Sequence, residues 1–392
     1  MERHSRRGTA YSFQRRHNKH SAWSSLSNAH MLRLTAAQLL KVTKERPGAS
    51  SDETDKDAVL LRAYGNNTDI LIDRDREAGV HALLAERELA PPLLARFKNG
   101  LLYRFIPGEA CTPQDLTNSP IWHAIARRLG EWHARIPVAA VVAASHAPQM
   151  EGHHNNQPTD GHPASSISTK TPNATIWSVM EQWVQALPSS TDKQRARQTL
   201  LRQELERSFH ELDNSHGLGE AGLVVGHCDL LSGNVIILAT SRSRDGNEND
   251  ADVAFVDYEY AVPCSAAFDL ANHFAEWGGF DCDYNMLPTR SIRHAFLKEY
   301  LDAYGQYSSE KTAPTLSVDG LTAEVDRYRG MPGLYWGIWA LIQATISMID
   351  FDYASYAEVR LGEYWAWRAE SDNSRAKEGK EMPLRENKWA QE

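Results

Sequence analysis

Little in this chain of 392 residues points to an oxidising compartment, a membrane or a nucleic acid. Its four cysteines, Cys111, Cys228, Cys264 and Cys282, are scattered without the paired spacing of a metal site or the density of a disulfide framework. Reduced thiols in the cytoplasm are the expectation. The longest apolar run, Leu334 to Ile342, falls well short of the roughly 20 residues a membrane span needs, and no secretory apolar segment opens the chain. Basic charge is not in excess either. Forty-two Lys and Arg against 51 Asp and Glu leave a net charge of -9, the wrong balance for gripping a phosphate backbone, so no nucleic-acid partner is expected. Glycine is missing altogether between Gly8 and Gly48, so that stretch cannot adopt the left-handed, closely approaching backbone that cradles anions.

What is present begins with a basic tail. Residues 1–30 carry Arg3, Arg6, Arg7, Arg15, Arg16 and Lys19 with Glu2 as the only acid, and without an amphipathic stripe they read as a disordered tail, with a targeting segment as the alternative. Ala58 to Tyr64 reads as a strand with one cation, Arg62, followed by a turn at Gly65-Asn66-Asn67 and a second short strand, Asp69 to Ile72. A helix is expected from about Asp73. Leu93 to Phe97 and Leu101 to Phe105 flank Lys98-Asn99-Gly100, and Asn-Gly between such runs predicts a hairpin. Ser119-Pro120 then reads as the cap of a helix with Ile121, Trp122, Ile125, Leu129 and Trp132 on one stripe. Two polar inserts, about 145–171 and 241–250, interrupt the later part, and the four histidines of the first (His146, His153, His154, His162) lack ligand spacing. Leu223 to Val225, Val235 to Leu238 and Val253 to Val256 read as short strands, and everything after Phe268 as helical. The expected fold class is α+β, a strand-rich N-terminal part (31–107) followed by a larger helical part (108–392).

The chemistry concentrates in Val225-Gly226-His227-Cys228-Asp229-Leu230-Leu231-Ser232-Gly233-Asn234 and the later Asp257-Tyr258-Glu259. An Asp closing an apolar strand, an Asn five positions on and an Asp after the next strand are what phosphoryl transfer to a hydroxyl uses. One carboxylate, Asp229, orients and deprotonates the hydroxyl, while the Asn234 amide oxygen and Asp257 hold Mg²⁺ together with phosphate oxygens and water. A polar turn between strands is the competing reading of the same letters.

Leu61 to Asp69, Phe268 to Trp277 and Trp336 to Ala340, in that order, resemble ethanolamine kinases of the choline/ethanolamine kinase family. The resemblance implies a two-lobed protein-kinase-like fold and use of ATP and Mg²⁺ to phosphorylate ethanolamine, an early step of phosphatidylethanolamine synthesis. It makes Arg62 the phosphate contact, with Glu77 as its partner, and Arg104, Phe105 and Ile106 the hinge facing adenine. Asp229 becomes the base, Asn234 and Asp257 the metal ligands, and Glu259 a second-metal ligand. His227 is expected to be a structural brace, and Asp269 and Asn272 read equally as helix-cap and packing residues or as catalytic ones. Glu276, Trp336, Trp339 and Tyr356 line the pocket for the acceptor ammonium, which aromatic faces and a carboxylate both attract. Packed core is the alternative for the indoles. A homodimer is the possible assembly. The chain departs from the family where a Gly/Thr-rich turn should precede the strand at Leu39-Leu40-Lys41-Val42, since Arg33 to Gln38 contains no glycine. Choline kinase and a non-catalytic binding protein therefore stand beside ethanolamine kinase as readings.

Overall fold

The computed structural model describes residues 38–43, 55, 57–65, 67–145, 174–213, 217–239, 251–308 and 316–392. The basic tail, residues 33–37 of the glycine-free stretch, residues 146–171 of the first polar insert with its histidines, and the insert 241–250 lie outside them.

Four antiparallel strands form the N-terminal sheet, in the order β1 (Gln38–Val42), β2 (Val59–Ala63), β4 (Gly100–Arg104) and β3 (Leu93–Phe97). Gly100 faces Ala63 across the β2–β4 ladder, where a Cβ would sit 2.2 Å from the Arg62 carbonyl oxygen, so the Asn-Gly turn sets both the hairpin and the register beside Arg62. Arg62 therefore projects from an interior strand. Helix α1 (Arg74–Glu86) follows, its N-terminus capped by the Asp73 carboxylate, which accepts from the amides of Asp75 and Arg76.

Two local expectations are corrected. Asp69 to Ile72 is not a strand: Asn67 turns left-handed (φ 59°), the Thr68 hydroxyl donates to Gly65 O, and Thr68–Ile70 close into a single 3₁₀ turn. The amides of Leu71 and Ile72 are spent on Thr68 O, so no ladder can form. In helix α2 (Ser119–Arg135) the cap is Asn118, not Ser119, and Ser119-Pro120 occupy the first turn, where a missing N–H costs nothing.

The C-terminal part holds two small antiparallel sheets, β5 (Gly108–Ala110) with β7 (Val235–Leu238) and β8 (Val253–Phe255), and β6 (Val224–Gly226) with β9 (Val262–Cys264). Around them pack α2, α3 (Ala266–Ala275), α4 (Arg290–Tyr307), α5 (Met331–Ile346) and α6 (Tyr353–Ser371). The stripe expected on α2 is buried throughout, each fully buried large side chain contributing roughly 1.5–3 kcal/mol, and Trp132 also donates to Val225 O at 2.8 Å. Gly130 lets α2 approach α4, since a Cβ there would lie 2.4 Å from Tyr300 O. One continuous core fills this part, and a smaller one of Ala78, Leu101 and Tyr103 lies under the N-terminal sheet. Among the described residues, no helix is long and apolar enough to cross a membrane.

Candidate active site

The loop after β6 is pinned from below by α3. The Asp269 carboxylate accepts from the amides of His227 (3.0 Å) and Cys228 (2.7 Å), the Asn272 amide donates to Cys228 O, and His273 Nδ1 bonds Leu230 O at 2.8 Å. Three side chains within about one helical turn thus fix His227, Cys228 and Leu230, the residues on either side of Asp229. Burial alone would raise the Asp269 carboxyl. The hydrogen bond and charge of His133, His227 and the Cys228 amide outweigh it and hold the group below the usual aspartate range. His133 is oriented in turn by the Tyr300 hydroxyl, 2.7 Å away. Buried His227 reaches Val256 O through Nε2, and desolvation lowers its pKa, so it is a neutral tie between the loop and β8.

Cys228 (φ 60°) and Asp257 (φ 69°) are both left-handed without being glycine, a conformation that costs of the order of 1–3 kcal/mol and is held here by the surrounding hydrogen bonds. Each strained residue sits at the turn that presents a carboxylate. The Val256 amide donates to Asn234 O, extending the β7–β8 register, so Asn234 and Asp257 emerge at the same end of that hairpin. The Asn234 amide nitrogen donates to Asp229 O (2.8 Å) and Oδ2 (3.0 Å), leaving the amide oxygen as the end that can face a cation. Burial, then the charges of Asp257, Glu276 and Glu259, push the Asp229 carboxyl well above its ordinary value, and Asn234 only partly offsets this.

Arg62 crosses from β2 to this set, 2.5 Å from Asp257 and 2.6 Å from Glu259, with Glu77 at 3.7 Å. Its closest partners are therefore the two carboxylates of the opposite lobe, and the space left beside it, among Glu77, Tyr103, Val256 and Asp257, is only about 10 Å³. Arg74, to which sequence reasoning assigned no role, stands behind it. Its guanidinium bonds Glu77 (2.8 Å) and Glu259 (3.0 Å) and lies 3.9 Å over the Tyr64 ring. Glu259 is pushed up to about 7 by burial and by Asp257, against the pull of Arg62 and Arg74. In the hinge segment, Phe105 N–H is already given to Ala58 O and Arg104 N–H to Pro92 O.

Among the described residues, no three His, Cys, Asp or Glu side chains gather at metal-ligand distance. The donors present, one amide oxygen and carboxylates crowded enough to repel one another's ionisation, nevertheless suit a hard cation that keeps waters and takes phosphate oxygens, as Mg²⁺ does. A larger cavity of about 620 Å³, lined by Arg290, His294, Asp319, Thr322, Asp326 and Glu392, shares none of these residues.

Beyond α3 lies an aromatic cluster. Trp336 donates to the Asn272 amide oxygen (2.9 Å), Trp339 donates to the Tyr260 hydroxyl (2.8 Å), and the two indoles stand perpendicular at 5.4 Å. Tyr356 stacks on Phe280 at 5.6 Å, and Phe351 and Tyr353, two further rings that sequence reasoning did not single out, complete the wall. Glu276 is buried at the end of α3 with its Oε1 3.0 Å from Arg360, and its field reaches Asp229.

A strand-rich lobe joined to a helical one, with an aspartate loop and an Asn/Asp pair at their junction, defines a phosphotransferase of the protein-kinase-like class. The family model described as Choline/ethanolamine kinase matches residues 32–365, and the chain belongs to that family. Ethanolamine kinase 1 of Mus musculus is 33% identical over 328 residues, which are 81% of this chain and 79% of that protein. The Homo sapiens counterpart is 33% identical, with 84% of this chain and 66% of that protein covered. For the ethanolamine kinase of Drosophila melanogaster the identity is 34%, covering 80% of this chain and 54% of the relative. Among solved structures, an ethanolamine kinase of Plasmodium vivax superposes with a TM-score of 0.62 at 22% identity, covering 84% of this chain and 79% of that one. A choline kinase of Cryptosporidium parvum gives 0.54 at 18%, covering 90% and 93%. Both share the fold.

Proposed function

We propose that this protein transfers the terminal phosphoryl group of ATP to the hydroxyl of ethanolamine, giving phosphoethanolamine. The observation that carries the reading is the convergence of Asp229, Asn234 and Asp257 at one loop-and-hairpin junction, with Arg62 reaching them from the other lobe. The relatives named above support ethanolamine as the acceptor.

Asp229 accepts the acceptor's hydroxyl proton, and a cation beside it would offset the burial and neighbouring carboxylates that raise its pKa and so keep it ionised as the base. Asn234 holds that carboxylate by its amide nitrogen while its oxygen, with Asp257, would ligate Mg²⁺. Held there, the cation would supply positive charge against the negative charge developing on the transferred phosphoryl group. Arg62 meets the phosphates with a planar fork, and Glu77, Glu259 and Arg74 hold that fork in place. Arg104, Phe105 and Ile106 line the adenine side. Glu276, Trp336, Trp339 and Tyr356 receive the ammonium. A cytoplasmic enzyme is part of this reading, and a homodimer is its expected assembly, to be checked by light scattering.

The test is ATP consumption with ethanolamine and Mg²⁺. Asp229→Asn should lower kcat by roughly a hundredfold to ten-thousandfold, and an undiminished rate would remove Asp229 as the base. Comparing kcat/KM for ethanolamine and choline decides between the two acceptors. Measurable turnover with either excludes a purely binding role.

A further inference from the structure

Glu276, at the acceptor pocket, is the first member of a buried row of alternating charge. Arg360 Nη2 lies 3.0 Å from Glu276 Oε1 and Arg360 Nε 3.3 Å from Glu363 Oε2. Arg385 follows at 3.9 Å from Glu363 and 3.0 Å from Glu386, and Arg329 closes the row 2.8 Å from Glu386. The first five of these six side chains are each no more than 4% exposed. Three acids alternate with three bases, so the row is electrically balanced.

A carboxylate this deep would otherwise protonate or pay heavily for its charge. Arg360 is the one cation that touches Glu276 among the described ion pairs, and it does so at Oε1. The guanidinium lies between the two acids, donating to Glu276 through Nη2 and standing 3.3 Å from Glu363 through Nε without a hydrogen bond. The same Arg360 carbon centre lies 5.8 Å from the Tyr356 ring, within the aromatic wall.

The geometry points to Arg360 as the positioning residue that keeps Glu276 ionised and aimed at a primary ammonium, and so sets the preference for primary over quaternary amino alcohols. This rests on the ethanolamine reading of the pocket. A primary ammonium brings N–H donors that reward an oriented carboxylate, whereas a trimethylated one has none and depends on the ring faces. Burial and Glu363 leave the Glu276 carboxyl above its ordinary value, and Arg360 is the main group that holds it back.

The experiment compares wild type, Arg360→Lys, Arg360→Gln, Glu276→Gln and the double variant Arg360→Lys/Glu276→Gln, with KM and kcat for ethanolamine, choline and ATP. Lys and Gln retain most of the arginine volume, and urea midpoints establish that each variant is folded. Arg360→Gln should raise KM for ethanolamine about tenfold or more, and Arg360→Lys less, with kcat and the KM for choline and ATP changed by under about threefold. In the Glu276→Gln background, Arg360→Lys should add nothing further. Equal losses for ethanolamine and choline, or fully additive effects of the two substitutions, would overturn the inference. A wild type that phosphorylates neither alcohol would instead refute the functional reading, and ethanolamine binding by calorimetry to wild type and Arg360→Lys would then decide the role of Arg360 alone.

Discussion

His273 is confined to one tautomer by its neighbours: Leu230 O can only accept, so Nδ1 carries the proton, and Trp277 Nε1 can only donate, so Nε2 is bare. A second proton has no place to go, and burial lowers the imidazole to about 4 from an ordinary 6.5. Between those values the unfolded chain binds more protons than the folded one, so stability is complete above about 6.5 and is lost as pH falls toward 4, by roughly 3 kcal/mol. His81 and His227 are shifted in the same direction and add to the trend. Denaturant titrations from pH 7 to 4.5 should show this loss, and His273→Gln should flatten the slope by about one proton despite a lower stability at pH 7. Identical slopes would show that His273 is not the sensor. Asp229, Asn234 and Asp257 could be named in advance because their chemistry clusters in two short stretches, and Trp336 and Trp339 only through resemblance to the family. Arg74 and Arg360 could not. A cation on a helix looks the same in sequence whether it faces water or a carboxylate 84 positions away, as Arg360 does.

Helices α5 and α6 meet through glycine. A Cβ on Gly333 would lie 2.5 Å from Arg360 O and 2.9 Å from Tyr364 N, both backbone atoms that cannot step aside. Gly333→Ala should therefore destabilise by about 1–3 kcal/mol, more than the helix-propensity gain of about 1 kcal/mol can offset, as read from urea midpoints. It should also raise KM for ethanolamine more than KM for ATP, because α6 carries Arg360 and Tyr356. Strands β2, β3, β4, β7 and β8 were legible within a residue or two, since each is an apolar run between turn residues. The three-residue strands β5 and β9 were not, because their only signature is pairing with β7 and β6 far along the chain. The 3₁₀ turn at Thr68–Ile70 was misread for a similar reason: an apolar pair after a turn becomes a strand only where a neighbour offers a ladder.

The two lobes are drawn together by Arg62, whose pairs with Asp257 and Glu259 span the junction. Occupancy of Asp257 by a divalent cation would release the guanidinium to phosphate, so ATP should bind more tightly with Mg²⁺ than without it. Calorimetry on Arg62→Met is expected to show ATP affinity reduced about ten- to a hundredfold, and on Asp257→Asn the difference between Mg²⁺ and Mg²⁺-free binding should vanish. Mg-ATP at a hundred times its Kd should add about 2.7 kcal/mol to unfolding of the wild type. If Arg360 positions Glu276 as proposed, substrate choice would depend in addition on a second region. Arg385 and Glu386 sit on the short helix Leu384–Trp389, within ten residues of the last one, Glu392. Trimming the chain to residue 382 would strip two links from the buried row and leave Arg360 answering to Glu363 without its counterweight. Changes confined to that helix should then shift the balance between primary and quaternary alcohols, read as the ratio of their kcat/KM values.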